Sequence, residues 1–150
     1  MNNENKIYVA YGSNLNLEQM QFRCPYATAI GNGILPDYQL LFRGGDGSSV
    51  ATVESKKDSE VPILLWEITP RDEESLDRYE GYPYLYRKET VEVQYGEKLV
   101  EAMIYIMNEG KPIGTPSGYY FNAILEGYKS AGFDRKVLEQ AVRISKENKA

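Results

Sequence analysis

The sequence predicts a mixed α+β fold, formed by a single compact domain over residues 1–150. Two observations predict this class. Apolar, strand-like segments separated by turn residues occupy much of the chain between residues 7 and 107, and segments with helix caps or helical periodicity alternate with them and follow them. At 150 residues with 42% hydrophobic content, the chain is long enough to bury about two thirds of its unfolded surface around one core.

The first element is an apolar strand that begins at Ile7 and breaks at the turn Gly12-Ser13-Asn14. Asn16 then provides an N-cap for a helix from Leu17 to about Arg23. A turn of this kind presents backbone N–H groups, which suit a carboxylate or a developing oxyanion. The alternative is that the turn only connects a strand to a helix.

The next segment predicts a hairpin and a loop. Strands at residues 27–35 and 38–42 are joined at the turn dipeptide Pro36-Asp37. Residues 43–49 contain three glycines and no apolar anchor, so we expect a mobile loop that could rim a cleft and act as a lid.

A short strand at residues 50–53 and a buried central strand at residues 61–68 precede a strongly marked helix. The helix starts at the N-cap Thr69 with a capping box and a proline at its first position. Gly81 ends it, which places Glu80 at the helix C-terminus.

The remaining elements are a hairpin and two helices. Residues 86–95 and 99–107 alternate apolar and polar side chains around a turn at Gly96, which predicts two long antiparallel strands. Helices at residues 117–131 and 134–146 are split at Gly132.

Charge and composition exclude several classes of partner. The net charge of −5 and pI near 4.9 disfavour nucleic acid, and no run of Lys and Arg forms a basic track. We expect no membrane association, because no apolar stretch reaches the length of a span and the first six residues, Met1 to Lys6, are polar. The single cysteine, Cys24, excludes an internal disulfide. These features predict a cytoplasmic protein.

The sequence contains no histidine, which removes a large part of enzyme chemistry. A Ser-His-Asp triad, a Cys-His pair and an imidazole metal ligand are all impossible. A proton carrier near neutral pH must then be Asp, Glu, Lys, Tyr, the cysteine or the substrate itself. Glu80 is a candidate, because a helix C-terminus and nearby tyrosines raise the pKa of a carboxyl group. Those tyrosines are Tyr79, Tyr82, Tyr84 and Tyr86. The alternative is a solvated charge at a helix end.

Three motifs resemble the gamma-glutamylcyclotransferase-like family. They are Tyr11-Gly12-Ser13-Asn14-Leu15 after the first strand, Leu76-Asp77-Arg78-Tyr79-Glu80-Gly81 at the end of the middle helix, and Pro116-Ser117 followed by Tyr120. Their order and separations also resemble those of the family. The resemblance spans residues 7 to about 120, and the pairing of the first two motifs makes it specific.

The resemblance implies a small β-barrel with flanking helices and a cavity in which Glu80 is the catalytic acid/base. Substrate-binding residues would be Tyr11, Gly12, Ser13, Asn14, Leu15, Tyr86, Tyr105 and Tyr120. In such enzymes the free α-amine of a small-molecule γ-glutamyl amide attacks its own γ-carbonyl and releases 5-oxoproline with an amine or amino acid. Because the nucleophile belongs to the substrate, the resemblance implies no cofactor and no metal.

Some assignments stay open. We interpret Ser13 as a binder and not a nucleophile, since no base for it is visible; Tyr105 could equally be core, and Arg23 more simply offsets a helix dipole. The leaving group could be an amino acid, an amine such as an isopeptide lysine, or a γ-glutamyl-protected biosynthetic intermediate.

Two readings without catalysis compete with the enzyme. One is a module on the same barrel that binds a small carboxylate or a peptide end. The other is a scaffold for a protein partner, which predicts an exposed aromatic patch and no closed cavity. The sequence does not predict the oligomeric state.

Overall fold

The computed structural model describes residues 4–148. Residues 1–3, which belong to the polar start of the chain, lie outside the described residues, as do residues 149–150. The elements in chain order are β1 (Lys6–Ala10), a 3-10 turn (Ser13–Leu15), α1 (Leu17–Arg23), β2 (Thr28–Arg43), β3 (Val50–Ile68), α2 (Pro70–Glu80), β4 (Tyr86–Tyr95), β5 (Lys98–Met107), α3 (Gly118–Ala131) and α4 (Lys136–Glu147).

The five strands form a closed barrel in the order β1-β3-β2-β4-β5. Neighbouring strands are antiparallel except β1 and β5, which are parallel and share the register pair Tyr8 and Met103. Strand β1 therefore closes the barrel between β3 and β5. The predicted mixed α+β class and the small barrel with flanking helices are confirmed.

The predicted hairpin at Pro36-Asp37 is wrong, because β2 continues through it as one strand. Its pairing with β3 shifts register between Pro36 and Tyr38, and Asp37 adopts a φ of 62° at this irregularity. The Asp37 carboxylate accepts the backbone N–H of Asp58 at 2.9 Å. The turn-forming dipeptide thus produces a bulge, because its partner strand runs alongside on both sides of it.

The two strands predicted at residues 50–53 and 61–68 are the ends of the single strand β3. The polar residues between them are mostly exposed but remain in the strand. Periodicity missed this part because a sheet region with neither face buried lacks the apolar pattern. The C-terminal half of β3, with the buried Trp66, lies between β1 and β2 as predicted for a central strand.

Helix caps are as the sequence predicts. The Asn16 side chain accepts the backbone N–H of Gln19 at 3.0 Å, and the Thr69 capping box is complete. Gly81 ends α2 in the left-handed conformation, with φ 66°. These caps fix both ends of α2, so the position of Glu80 at its last turn is set locally.

Helix α3 packs against the 3-10 turn, and α4 packs against β2. The loop at residues 44–49 is tied to the segment before α3: Gly44 donates its N–H to the Pro112 carbonyl at 2.9 Å, and the Gly47 N–H to that of Thr115 at 2.8 Å. Its role as a lid stays a prediction. Among the described helices, none combines the length and apolar character needed to cross a bilayer.

Candidate active site

The Gly12-Ser13-Asn14 turn follows β1 directly, and Gly12 is the N-cap residue of the 3-10 turn. No side chain caps this turn. Ser13 and Asn14 are buried: the Ser13 hydroxyl lies 2.8 Å from the Tyr79 hydroxyl, and the Asn14 amide donates to the Tyr8 hydroxyl at 2.8 Å. A Cβ at Gly12 would lie only 3.2 Å from the Ala51 Cβ, so the close approach of β3 favours glycine here.

Glu80 is the last residue of α2, and it lines the same cavity as the turn. Burial raises the pKa of this carboxyl to about 7, while the positive charge of Arg23 acts in the opposite direction. The direction agrees with the sequence prediction, and burial is the main cause. A carboxyl with this pKa populates both protonation states near neutral pH.

The cavity has a volume of about 230 Å³. It brings together most of the residues predicted for the site. Its lining consists of Tyr8, Tyr11, Gly12, Ser13, Asn14, Val50, Ala51, Tyr79, Glu80, Leu85, Tyr86, Tyr105 and Tyr120. A carboxyl of near-neutral pKa therefore shares one small, tyrosine-rich chamber with the turn after β1. The scaffold alternative predicted no such cavity.

A model of the gamma-glutamyl cyclotransferase, AIG2-like family matches residues 8–122. The chain belongs to this enzyme family. It is 30% identical over 140 residues to the gamma-glutamylcyclotransferase of Bos taurus, covering 86% of this chain and 73% of the relative. The Homo sapiens gamma-glutamylcyclotransferase is 28% identical over 148 residues, covering 91% and 77%. A solved gamma-glutamyl cyclotransferase structure superposes with a TM-score of 0.82 at 28% identity, covering 92% of this chain and 86% of the other.

In this gamma-glutamyl cyclotransferase family member, the four predicted pocket tyrosines have different hydrogen bonds. Tyr11 donates to the Tyr105 carbonyl at 2.6 Å, and Tyr86 donates to the Ala51 carbonyl at 2.5 Å. Tyr105 donates to the carboxylate of Asp77, a residue that does not line the cavity, at 2.6 Å. The Tyr120 hydroxyl instead accepts the Ala51 N–H at 2.9 Å. Burial raises the pKa of all four phenols, so they are neutral at neutral pH.

Leu15 is the predicted substrate-binding residue that does not line the cavity. Its side chain is fully buried and packs against α3, where a Cβ added to Gly127 would lie 2.6 Å from the Leu15 Cβ. As the third residue of the 3-10 turn, Leu15 points its side chain toward the flanking helix. It anchors the turn in the core.

The sequence identified only some neighbours of Glu80. Of the four tyrosines near it in the chain, the buried Tyr86 and the partly exposed Tyr79 line the cavity, whereas Tyr82 and Tyr84 are exposed and do not line it. Tyr8 lines the cavity but was not predicted; its inward position on β1 was the available signal.

The contributions of Val50 and Ala51 to the cavity could not be predicted, because only the barrel brings them to the turn. Within residues 4–148, no group of three or more Cys, Asp or Glu side chains is arranged to hold a metal ion.

Proposed function

We propose that this protein cyclises γ-glutamyl amides. The α-amine nitrogen of the substrate forms a bond to its own γ-carbonyl carbon, the bond from that carbon to the leaving nitrogen breaks, and 5-oxoproline is released with an amine or amino acid. One observation carries the proposal: the Glu80 carboxyl, whose pKa is raised to about 7, lines the same small cavity as the Gly12-Ser13-Asn14 turn. Family membership supports the same chemistry.

Glu80 is the proposed general acid/base. In its ionised form it accepts a proton from the substrate ammonium, which frees the α-amine to attack. The protonated carboxyl then delivers this proton to the leaving nitrogen as the tetrahedral intermediate collapses, and the second proton that the attacking nitrogen loses on becoming the lactam N–H ends on the released amine, which leaves as an ammonium. A pKa near the working pH suits a group that takes and gives one proton in each turnover.

The turn is the proposed substrate cradle. Backbone amides of Gly12, Ser13 and Asn14 bind either the substrate α-carboxylate or the oxyanion of the tetrahedral intermediate. The surrounding tyrosine rings exclude water and hold the γ-glutamyl chain folded back on itself, so that attack is intramolecular. Since the substrate supplies its own nucleophile, this mechanism requires no cofactor and no metal.

The test is a panel of γ-glutamyl amino acids and γ-glutamyl amines assayed for 5-oxoproline. We expect wild-type turnover of at least one of them. Glu80→Gln should lower kcat by roughly 100-fold or more, because glutamine keeps the shape of glutamate but cannot accept or release a proton near neutral pH. Glu74→Gln is the matched control, because Glu74 is exposed on the same helix and should have wild-type activity.

Comparable turnover in wild type and Glu80→Gln would end the assignment of Glu80. Binding of 5-oxoproline or a γ-glutamyl compound without any turnover would instead support the non-catalytic binding module.

A further inference from the structure

Arg23 occupies the junction between the turn and α2, although it belongs to neither. It is the last residue of α1. Its guanidinium carbon lies 3.4 Å from the centre of the Tyr79 ring, and its Nη1 donates a hydrogen bond to the Asn14 side-chain oxygen. One planar group thus contacts the substrate turn on one side and the helix that carries Glu80 on the other.

These contacts are part of a connected set. Asn14, which accepts from Arg23, donates through its own amide to the Tyr8 hydroxyl of β1 at 2.8 Å. Tyr79, on which Arg23 stacks, has its hydroxyl 2.8 Å from the Ser13 hydroxyl. The turn and α2 are therefore linked twice, directly through Ser13 and Tyr79 and indirectly through Arg23. Tyr79 immediately precedes Glu80 in the chain.

Arg23 also supplies the charge that acts on Glu80. The other titratable groups that line the cavity with Glu80 are tyrosines: Tyr8, Tyr11, Tyr79, Tyr86, Tyr105 and Tyr120. Burial raises the pKa of the Glu80 carboxyl, and Arg23 lowers it. Among the ion pairs of residues 4–148, none joins Arg23 to Glu80, so the effect acts across the site without a salt bridge.

We propose that Arg23 is a positioning residue for the cyclisation. It holds the Gly12-Ser13-Asn14 turn and the end of α2 in one relative placement, so that the amides of the turn and the Glu80 carboxyl reach the same substrate. The inference rests on the proposed function. A planar guanidinium can stack on an aromatic ring and donate in its own plane at the same time, whereas the compact ammonium of lysine cannot stack, so lysine does not replace it.

The test compares Arg23→Met and Arg23→Lys with the wild type, measuring kcat and KM over pH 5 to 9. Arg23→Met should lower kcat by roughly 10- to 100-fold, because small displacements of reacting groups have effects of this size. It should also move the acidic limb of the kcat profile to higher pH, because the charge that favours ionised Glu80 is lost. Arg23→Lys should leave the limb near its wild-type position while kcat stays low.

The matched control is Arg78→Met, which removes an exposed arginine from α2 two residues before Glu80 and should change neither kcat nor the pH profile. If the role of Arg23 were merely structural, both Arg23 variants would have a lower thermal midpoint of unfolding. The protein that remains folded would then show the wild-type acidic limb in its kcat profile. That result, or wild-type kcat in Arg23→Met, would overturn the proposal.

A second measurement does not depend on turnover. Titration of the Glu80 carboxyl carbon by NMR should give a higher midpoint in Arg23→Met than in the wild type and an unchanged midpoint in Arg78→Met. The Asn14 side-chain amide signals should move in Arg23→Met and Arg23→Lys alike. If wild type forms no 5-oxoproline, the proposed function fails while these titrations still decide the role of Arg23; unchanged Glu80 and Asn14 signals would refute it.

Discussion

At the residue scale, the orientation of each tyrosine hydroxyl decides what it can offer a ligand. Tyr11 and Tyr86 use their protons on backbone carbonyls, and Tyr105 uses its proton on Asp77. Tyr120 accepts a backbone N–H from Ala51, so its own proton remains available toward the cavity. Among the four tyrosines predicted for the pocket, we therefore propose Tyr120 as the hydrogen-bond donor for the substrate.

We expect Tyr120→Phe to lower kcat/KM by roughly 10-fold or more, which is the usual effect of losing one hydrogen bond to a charged group in a buried site. Steady-state kinetics on the best γ-glutamyl substrate would measure it. Tyr95→Phe is the control, because its hydroxyl donates to the Ile30 carbonyl outside the cavity. Equal kcat/KM in the two variants would exclude the donor role of Tyr120.

Residues close to each other in the chain were predictable, and residues joined only by the fold were not. Glu80 followed from the absence of histidine together with the helix end and its motif, and its pKa direction followed from the same argument. Arg23 was interpreted as a helix-end charge, because nothing in the sequence places Tyr79 beneath it. Its contact with Asn14 likewise depends on how α1 and α2 meet.

At the element scale, the position of the Gly12-Ser13-Asn14 turn depends on how closely α3 approaches it. Gly127 is the contact point: a Cβ there would lie 2.6 Å from the Leu15 Cβ and 2.7 Å from the Leu15 carbonyl carbon. Neither distance is sterically possible, and the second involves backbone that cannot rotate away. Helix and turn can touch only because this residue has no side chain.

Gly127→Ala should therefore push the 3-10 turn away from Glu80 and lower kcat by roughly 10-fold or more. We also expect a loss of about 1–3 kcal/mol in the free energy of unfolding from overpacking, despite the better helix propensity of alanine. Gly118→Ala is the control on the same helix, since nothing lies within 4 Å of a Cβ there. Kinetics and urea denaturation of both variants would test this, and full activity in Gly127→Ala would contradict it.

Helices and strands were predicted correctly where neighbouring residues in the chain determine the backbone conformation. The prediction failed where pairing with a distant strand determines it. The caps of α1 and α2 and the hairpin of β4 and β5 came from residues adjacent in the chain. Pro36-Asp37 gave the wrong result because a turn and a bulge use the same residue types. What distinguishes them is the neighbouring strand β3, which local patterns do not reveal.

At the scale of the whole molecule, the site makes stability depend on pH. The folded-state pKa of Glu80 is about 7, against an ordinary value of 4.5. The folded protein therefore binds more protons than the unfolded chain between these values, and this contribution to stability is lost as pH rises toward and through 7. Burial raises the pKa of Glu73, but Lys88 and Lys6 together lower it by more, so its pKa lies below the ordinary value. The stability that Glu73 contributes is therefore lost only at lower pH, as its carboxylate becomes protonated.

We expect the free energy of unfolding of Glu80→Gln to gain on that of the wild type as the pH rises. Between pH 5 and pH 8, the difference between the two proteins should change in favour of the variant by on the order of 2 kcal/mol. Urea denaturation of both proteins at the two pH values would measure the change. Glu74→Gln, at an exposed position of the same helix, is the control for the loss of one carboxylate. A gap for Glu80→Gln that is the same at pH 5 and pH 8 would show that burial does not raise this pKa.

The barrel itself was predicted through the family resemblance and not through strand patterns. Periodicity identified most strands, but the closure of β1 against β5 joins residues nearly a hundred positions apart through one parallel pair. Ala51, which also lines the cavity, lies on β3, some forty residues after the turn. Long-range pairings of this kind leave no signature in any local window.

This closure also orders the events of folding. Strand β1 leads directly into the Gly12-Ser13-Asn14 turn. During synthesis, however, it can pair with β5 only after residues 98–107 have been added to the chain. Contacts over such long sequence separations carry a large loop-closure entropy and tend to form late. A nascent or partly folded chain can therefore contain α2 and the β4–β5 hairpin while still lacking a cavity. The Glu80 carboxyl then stays solvated, and its pKa stays near the ordinary value, until β1 pairs with β5. The buried site that we propose for catalysis is therefore complete only when the barrel closes.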